Sequence, residues 1–164
     1  MTTDELMKPV DVPTKTTNEQ TKILIIGMGN IGRRHFQAIC NLDIDYSVVC
    51  YDIFQGSLDA IAPFCSDNGL SPRGLQVIGD FQQALGTINP NTIVVVATTA
   101  KGRADILCEV IARRPKAVIS EKPVSQTPAE LDRVNAAALE HAVPVYVNFI
   151  CHTYGDYQII FKEI

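Results

Sequence analysis

The sequence has 164 residues, of which 46% are hydrophobic and 20% are charged. This length and composition are typical of one globular domain with a well-formed core. The formal net charge of −4 gives no basis for expecting nucleic acid as a partner, and no apolar run is long enough to span a bilayer. Five cysteines without a Cys-x-x-Cys pair are typical of free thiols, and the histidines show no metal-ligand spacing. We therefore expect a cytoplasmic protein without a metal site.

The first clear structural signal follows a stretch without hydrophobic periodicity at residues 1–20, where we expect a flexible tail. Residues 23–26 are four branched apolar residues in a row, which predicts a strand buried on both faces. Gly27, Gly29 and Gly32 follow with the spacing Gly-x-Gly-x-x-Gly, and a helical pattern comes next. A strand, a glycine turn and a helix in this order are typical of a dinucleotide-binding βαβ unit.

Each glycine has a physical role under this hypothesis. Gly27 permits a tight turn, Gly29 lets a pyrophosphate approach the backbone, and Gly32 lets the helix pack against the strand. A second buried-strand pattern at residues 46–51 ends at Asp52, which lies 20 residues after Gly32. A carboxylate at this spacing binds the adenosine ribose hydroxyls and repels a 2′-phosphate, so NAD is favoured over NADP. The alternative is that Asp52 only begins the following turn.

The rest of the chain alternates short apolar strands with helical patterns. We predict further strands at residues 75–78, 92–97, 116–120 and 143–147, and helices at residues 55–65, 81–85, 103–113 and 128–139, with Asp80 and Thr127 as N-caps. This alternation predicts an α/β fold: a Rossmann-type, doubly wound parallel sheet of about six strands with helices on both faces. Ligands bind outside the carboxyl ends of the strands in such sheets.

A family resemblance appears at Glu121-Lys122-Pro123, which ends a predicted strand about 90 residues after the glycine turn. Together with residues 27–35, Asp52 and Ala97-Thr98, this motif resembles the Gfo/Idh/MocA oxidoreductases, the glucose–fructose oxidoreductase and inositol dehydrogenase family. The resemblance implies an NAD(P)-binding domain followed by an α+β domain that holds the substrate and often the oligomer interface. It also implies hydride transfer between the nicotinamide and a sugar, polyol or related hydroxy compound.

The resemblance implies roles for individual residues as well. The glycine loop with its intervening residues would contact the pyrophosphate: Gly27, Met28, Gly29, Asn30, Ile31 and Gly32. Asp52 would hold the ribose, and Ala97 and Thr98 would line the dinucleotide cleft. Glu121 and Lys122 would lie at the nicotinamide end. Lys122 would be the catalytic residue, because a buried ammonium at that position can stabilise developing alkoxide charge. Its alternative is a solvated lysine at a strand end. A cis bond before Pro123 is also implied, and His35, His141 and His152 are assigned no role.

The sequence departs from the family pattern in the loop after the fourth strand and around Arg114-Pro115, where a family glycine is replaced. Thr99 replaces a proline, and Arg103 stands near a family histidine. The family's downstream histidine and aspartate, which would act as acid and base, have no counterpart. We therefore expect a dinucleotide domain at residues 21–148 and the start of a truncated substrate domain at residues 149–164. The chain alone would be catalytically incomplete, with possible homo-oligomer contacts through the missing domain; the alternative is a non-catalytic nucleotide-binding sensor or partner-binding module.

Overall fold

The computed structural model describes residues 20–149, in which six strands alternate with helices. The elements in chain order are β1 (Thr21–Ile26), α1 (Asn30–Cys40), β2 (Tyr46–Tyr51), α2 (Gln55–Asp59), α3 (Ile61–Asn68), β3 (Gln76–Ile78), α4 (Phe81–Gly86), β4 (Thr92–Val96), α5 (Arg103–Ala112), β5 (Ala117–Glu121), α6 (Pro128–His141) and β6 (Val145–Asn148). Apart from Gln20 and Phe149, the expected tail and the expected start of a second domain lie outside the described residues. None of the helices within residues 20–149 has the length and apolar character needed to cross a bilayer.

The six strands form one sheet in the order β3-β2-β1-β4-β5-β6, and every neighbouring pair is parallel. This is the Rossmann order, and it confirms the predicted fold. The chain order reverses between β1 and β4, where the loops after adjacent strands run to opposite sides. A crevice for a ligand therefore opens at the carboxyl ends of these two strands.

The core lies on both faces of the central strands. Ile23 and Ile25 of β1 pack with residues of α1, α2 and α3, whereas Leu24 and Ile26 pack with residues of α4, α5 and α6. All four side chains are at most 4% exposed. Both faces of a parallel sheet are covered by helices, which is why the strand pattern is continuously apolar instead of alternating.

One helix differs from the prediction. The sequence predicted a single helix over residues 55–65, but the structure has two, α2 and α3, with a break at Ala60. Pro63 explains the break, because its ring has no N–H to donate and clashes with the carbonyl of residue 59 in a continuous helix. In the first turn of a new helix the proline is tolerated. The predicted ends of the later strands differ from the observed ends by one or two residues.

Candidate functional site

The glycine turn after β1 is shaped by close backbone contacts. Gly27 has a φ of +98°, and a Cβ there would lie 2.9 Å from backbone atoms of Ala97 and Thr98. A Cβ at Gly32 would lie 1.8 Å from the carbonyl oxygen of Gly27. A Cβ at Gly29 would meet nothing within 4 Å. The fold itself thus requires glycine at 27 and 32, while the space beside Gly29 is open to a ligand.

The N-terminus of α1 leaves its amide groups without a side-chain cap. Gly29 is the N-cap residue, and the first turn contains no acidic residue. By contrast, Asp80 caps α4, and Thr127 and Glu130 form a capping box on α6, as the sequence predicted. Free N–H groups and the helix dipole favour an anion at such a terminus. An open glycine and an uncapped helix together fit a pyrophosphate.

Asp52 connects the end of β2 to the glycine turn. Its Oδ2 accepts a hydrogen bond of 2.6 Å from the Met28 N–H, and its Oδ1 accepts one of 2.8 Å from the Phe54 N–H. The bond from Phe54 shows that Asp52 also begins the following turn. Each carboxylate oxygen can accept more than one hydrogen bond, so both can still accept from a ribose diol.

A cleft of ≈ 570 Å³ opens beside this carboxylate. Five residues that were proposed from the sequence line this cleft: Gly27, Gly29, Asp52, Ala97 and Thr98. Six further residues complete the lining: Tyr51, Ile53, Phe81, Thr99, Lys101 and Ile106. The rings of Tyr51 and Phe81 lie 5.3 Å apart between centroids. An apolar wall beside a carboxylate suits a flat ring with an attached ribose. The apolar lining residues were missed because their sequence pattern is the same as that of core residues.

The other proposed residues lie outside this cleft. The Met28 side chain is 1% exposed and belongs to the core beneath α1, so only its backbone can face a ligand. Asn30 and Ile31 are exposed on the first turn of α1, and Gly32 is buried against the turn. Glu121 and Lys122 lie at the carboxyl end of β5, on the far side of β4 from Asp52.

The Glu121 side chain joins three elements. It is 8% exposed, and its Oε1 accepts hydrogen bonds from His35 Nε2 of α1 at 2.8 Å and from Asn148 Nδ2 of β6 at 2.5 Å. Burial raises the pKa of Glu121, but the hydrogen bonds from Asn148 and His35 outweigh it and hold the pKa below its usual value. No role was assigned to His35 from the sequence, and the structure shows that it binds Glu121.

Lys122 follows directly and is exposed in this domain, not buried as expected. The Lys122–Pro123 peptide is cis, as the resemblance implied.

Arg103 is a buried cation that the sequence recorded only as a departure. The side chain is 3% exposed. Its guanidinium donates to the carbonyl oxygen of Glu121 at 2.7 Å and to those of Thr98 and Pro123. It thereby joins the loops after β4 and β5. Burial lowers the pKa of Arg103, and the nearby Glu121 charge opposes this shift. One sequence signal could have revealed this role: Arg103 is a single arginine on the apolar side of a helix, directly after a strand-end loop.

Comparison with known proteins identifies this arrangement. Residues 21–149 match the sequence model of the Gfo/Idh/MocA oxidoreductase family, which describes its NAD-binding Rossmann fold. The chain belongs to this family. Its described residues form the family's NAD-binding Rossmann domain. A search among curated proteins gives no significant match.

Solved structures share the Gfo/Idh/MocA fold at low identity. A myo-inositol 2-dehydrogenase from Lactobacillus plantarum aligns with a TM-score of 0.71 and 15% identity over 88% of this chain and 40% of that one. A scyllo-inositol dehydrogenase from Lactobacillus casei, with bound NAD(H) and scyllo-inositol, aligns with a TM-score of 0.71 and 16% identity over 88% of this chain and 40% of that one. The WlbA dehydrogenase from Bordetella pertussis, in complex with NADH and UDP-GlcNAcA, aligns with a TM-score of 0.64 and 21% identity over 79% of this chain and 37% of that one. The match thus spans about two fifths of each solved chain.

Proposed function

We propose that this domain binds NAD in preference to NADP, with the adenosine in the cleft beside Asp52. The position of Asp52 is the observation that carries the proposal. Its carboxylate lies between the open glycine turn and the apolar cleft, where it can accept from both ribose hydroxyls and would repel a 2′-phosphate. The pyrophosphate would lie beside Gly29 at the N-terminus of α1, in the cleft that Ala97 and Thr98 also line.

The same proposal places the chemistry at the carboxyl end of β5. When bound, NAD would supply the hydride acceptor. Lys122 would be the catalytic residue: its ammonium would hold the carbinol oxygen of the substrate and stabilise the alkoxide that develops there. Arg103 stabilises this loop, because it donates to the carbonyl oxygens of Glu121 and Pro123, the residues before and after Lys122.

For the whole protein, we propose a dehydrogenase that acts on a sugar, polyol or related hydroxy compound. The solved relatives include dehydrogenases whose names or ligands are inositols and a nucleotide sugar. Residues 149–164 would begin the substrate domain, through which a homo-oligomer would form. A cytoplasmic location is supported by the free thiols of Cys40, Cys50, Cys65 and Cys108, whereas Cys151 lies outside the described residues.

The test is titration calorimetry of the full chain with NAD⁺ and NADP⁺. The wild type should prefer NAD⁺. Asp52→Ser should weaken NAD⁺ binding about tenfold, the value of one charge-assisted hydrogen bond, and should narrow the preference over NADP⁺. Asp59→Ser removes an exposed carboxylate of α2 and is the matched control. Equal affinity of the wild type for both cofactors, or an Asp52 variant that binds like the control, would contradict the assignment.

A turnover assay of the whole protein against a panel of polyols and sugars separates the two functional hypotheses, because residues 1–164 alone are expected to be catalytically incomplete. Loss of turnover in Lys122→Ala with NAD⁺ affinity retained supports the dehydrogenase. Binding of NAD⁺ without turnover of any compound favours the non-catalytic module, and no binding contradicts both.

A further inference from the structure

Glu121, which the family resemblance places at the nicotinamide end, is a buried anion that does not line the cleft. Both of its side-chain donors bind the same oxygen, Oε1, and they come from helix α1 and strand β6. Its main-chain carbonyl is bound by Arg103 and by Ser120 Oγ. The carboxylate is therefore fixed from several directions, and a fixed buried charge acts on its surroundings with little screening by salt.

The sheet order places this charge relative to the cofactor. Asp52 lies at the end of β2 and Glu121 at the end of β5, with β1 and β4 between them. A dinucleotide that has its adenosine beside Asp52 and its pyrophosphate at α1 extends across the crevice toward β4 and β5. The nicotinamide half then lies on the side of Glu121. The nicotinamide ring is positively charged in NAD⁺ and neutral in NADH.

We propose that the Glu121 carboxylate, held in place by His35 and Asn148, raises the affinity of the domain for NAD⁺ relative to NADH. His35 and Asn148 are positioning residues in this proposal, since they act through Glu121. The inference rests on the proposed function, because it requires NAD in the crevice. It assigns the carboxylate an electrostatic role in setting which redox state of the cofactor is held more tightly.

The charges around Glu121 allow such a role. His35 faces it from α1 and donates Nε2–H in either its neutral or its charged form, Arg103 faces its backbone from α5, and Lys122 follows it in the chain. Asn148 from β6 is neutral. The guanidinium of Arg103 binds main-chain oxygens only, so it does not pair directly with the carboxylate.

The experiment measures Kd of the full chain for NAD⁺, NADH and ADP-ribose, which lacks the nicotinamide. Glu121→Gln keeps an oxygen for both side-chain donors and removes the charge. We expect it to lower the ratio of the NADH Kd to the NAD⁺ Kd about tenfold, as expected for unit charges about 10 Å apart at an effective dielectric constant near 20. ADP-ribose binding should be unchanged. Glu140→Gln, which removes an exposed carboxylate of α6, is the control and should leave the ratio unchanged.

The positioning role has its own variants. His35→Leu and Asn148→Leu should shift the ratio in the same direction but less, and His35→Gln, whose amide can donate to Oε1, should restore it. If His35→Leu weakens ADP-ribose, NAD⁺ and NADH equally, His35 only supports the helix and its positioning role is refuted. An unchanged ratio in Glu121→Gln overturns the inference while leaving the proposed function intact. A wild type that binds neither NAD⁺ nor NADH refutes the proposed function itself.

Discussion

Replacing Gly32 with alanine should destabilise the domain even though alanine is the better helix former. The new Cβ would lie 1.8 Å from the Gly27 carbonyl oxygen, whereas Cβ atoms essentially never come within 3.0 Å of a non-bonded atom from elsewhere in the chain. The contact is with backbone at the end of a strand buried on both faces, so it cannot be relieved by a rotamer change. Overpacking of this kind costs about 3 kcal/mol, and the gain in helix propensity returns about 1 kcal/mol.

The net loss is therefore about 2 kcal/mol in the free energy of unfolding, which corresponds to a fall in Tm of roughly 4–8 °C for a domain of this size. Gly29→Ala is the matched variant three residues earlier. Its backbone is extended, with φ −65° and ψ −166°, and its Cβ would meet nothing. Its stability should stay within about 0.5 kcal/mol of the wild type, while NAD⁺ binding falls because the methyl group occupies the space beside the proposed pyrophosphate.

Thermal and urea unfolding followed by circular dichroism measures both variants, and calorimetry measures binding. The steric reasoning is refuted if Gly32→Ala is as stable as the wild type, or if Gly29→Ala is destabilised to the same extent. If Gly29→Ala binds NAD⁺ as the wild type does, the pyrophosphate does not lie beside Gly29.

Three further predictions concern the polar contacts. Arg103→Lys should lower the unfolding free energy by about 2–4 kcal/mol in urea denaturation, because one ammonium cannot span three carbonyl oxygens that belong to two loops; an unchanged midpoint would contradict this. Thr127→Ala should cost about 1 kcal/mol through loss of the capping box of α6, whereas Thr127→Ser, which keeps the hydroxyl, should cost little; equal losses would argue against the cap. The pKa of Glu121 is lower in the folded state than its ordinary value of 4.5. Its contribution to stability is thus fully present above that value and is lost as the pH falls through the lower folded pKa. Urea unfolding at a series of acidic pH values should show a flatter curve for Glu121→Gln than for the wild type, and parallel curves would show that Glu121 is not linked to acid stability.

Most of the fold could be predicted because its signals are local. The continuous apolar residues of β1, the glycine spacing and the caps at Asp80 and Thr127 each depend on residues within a few positions of one another. Even the break between α2 and α3 has a local cause in Pro63, although the apolar pattern on both sides of it led to the prediction of one helix. The role of Gly32 likewise follows from sterics at the end of one strand, where its Cβ would meet Gly27, whereas Gly27 is confined by Ala97 and Thr98 after β4.

The sequence by itself therefore determined a parallel sheet, a glycine turn suited to a pyrophosphate, and an acidic residue after the second strand. Only the tertiary structure decided which groups face one another across the sheet. His35 and Glu121 are 86 residues apart in the chain and 2.8 Å apart between their polar atoms, and Arg103 binds carbonyls of two separate loops. Such pairs depend on strand order, which places β4 between β1 and β5. The alternation of strands and helices along the chain is compatible with several orders, and only the folded sheet selects one.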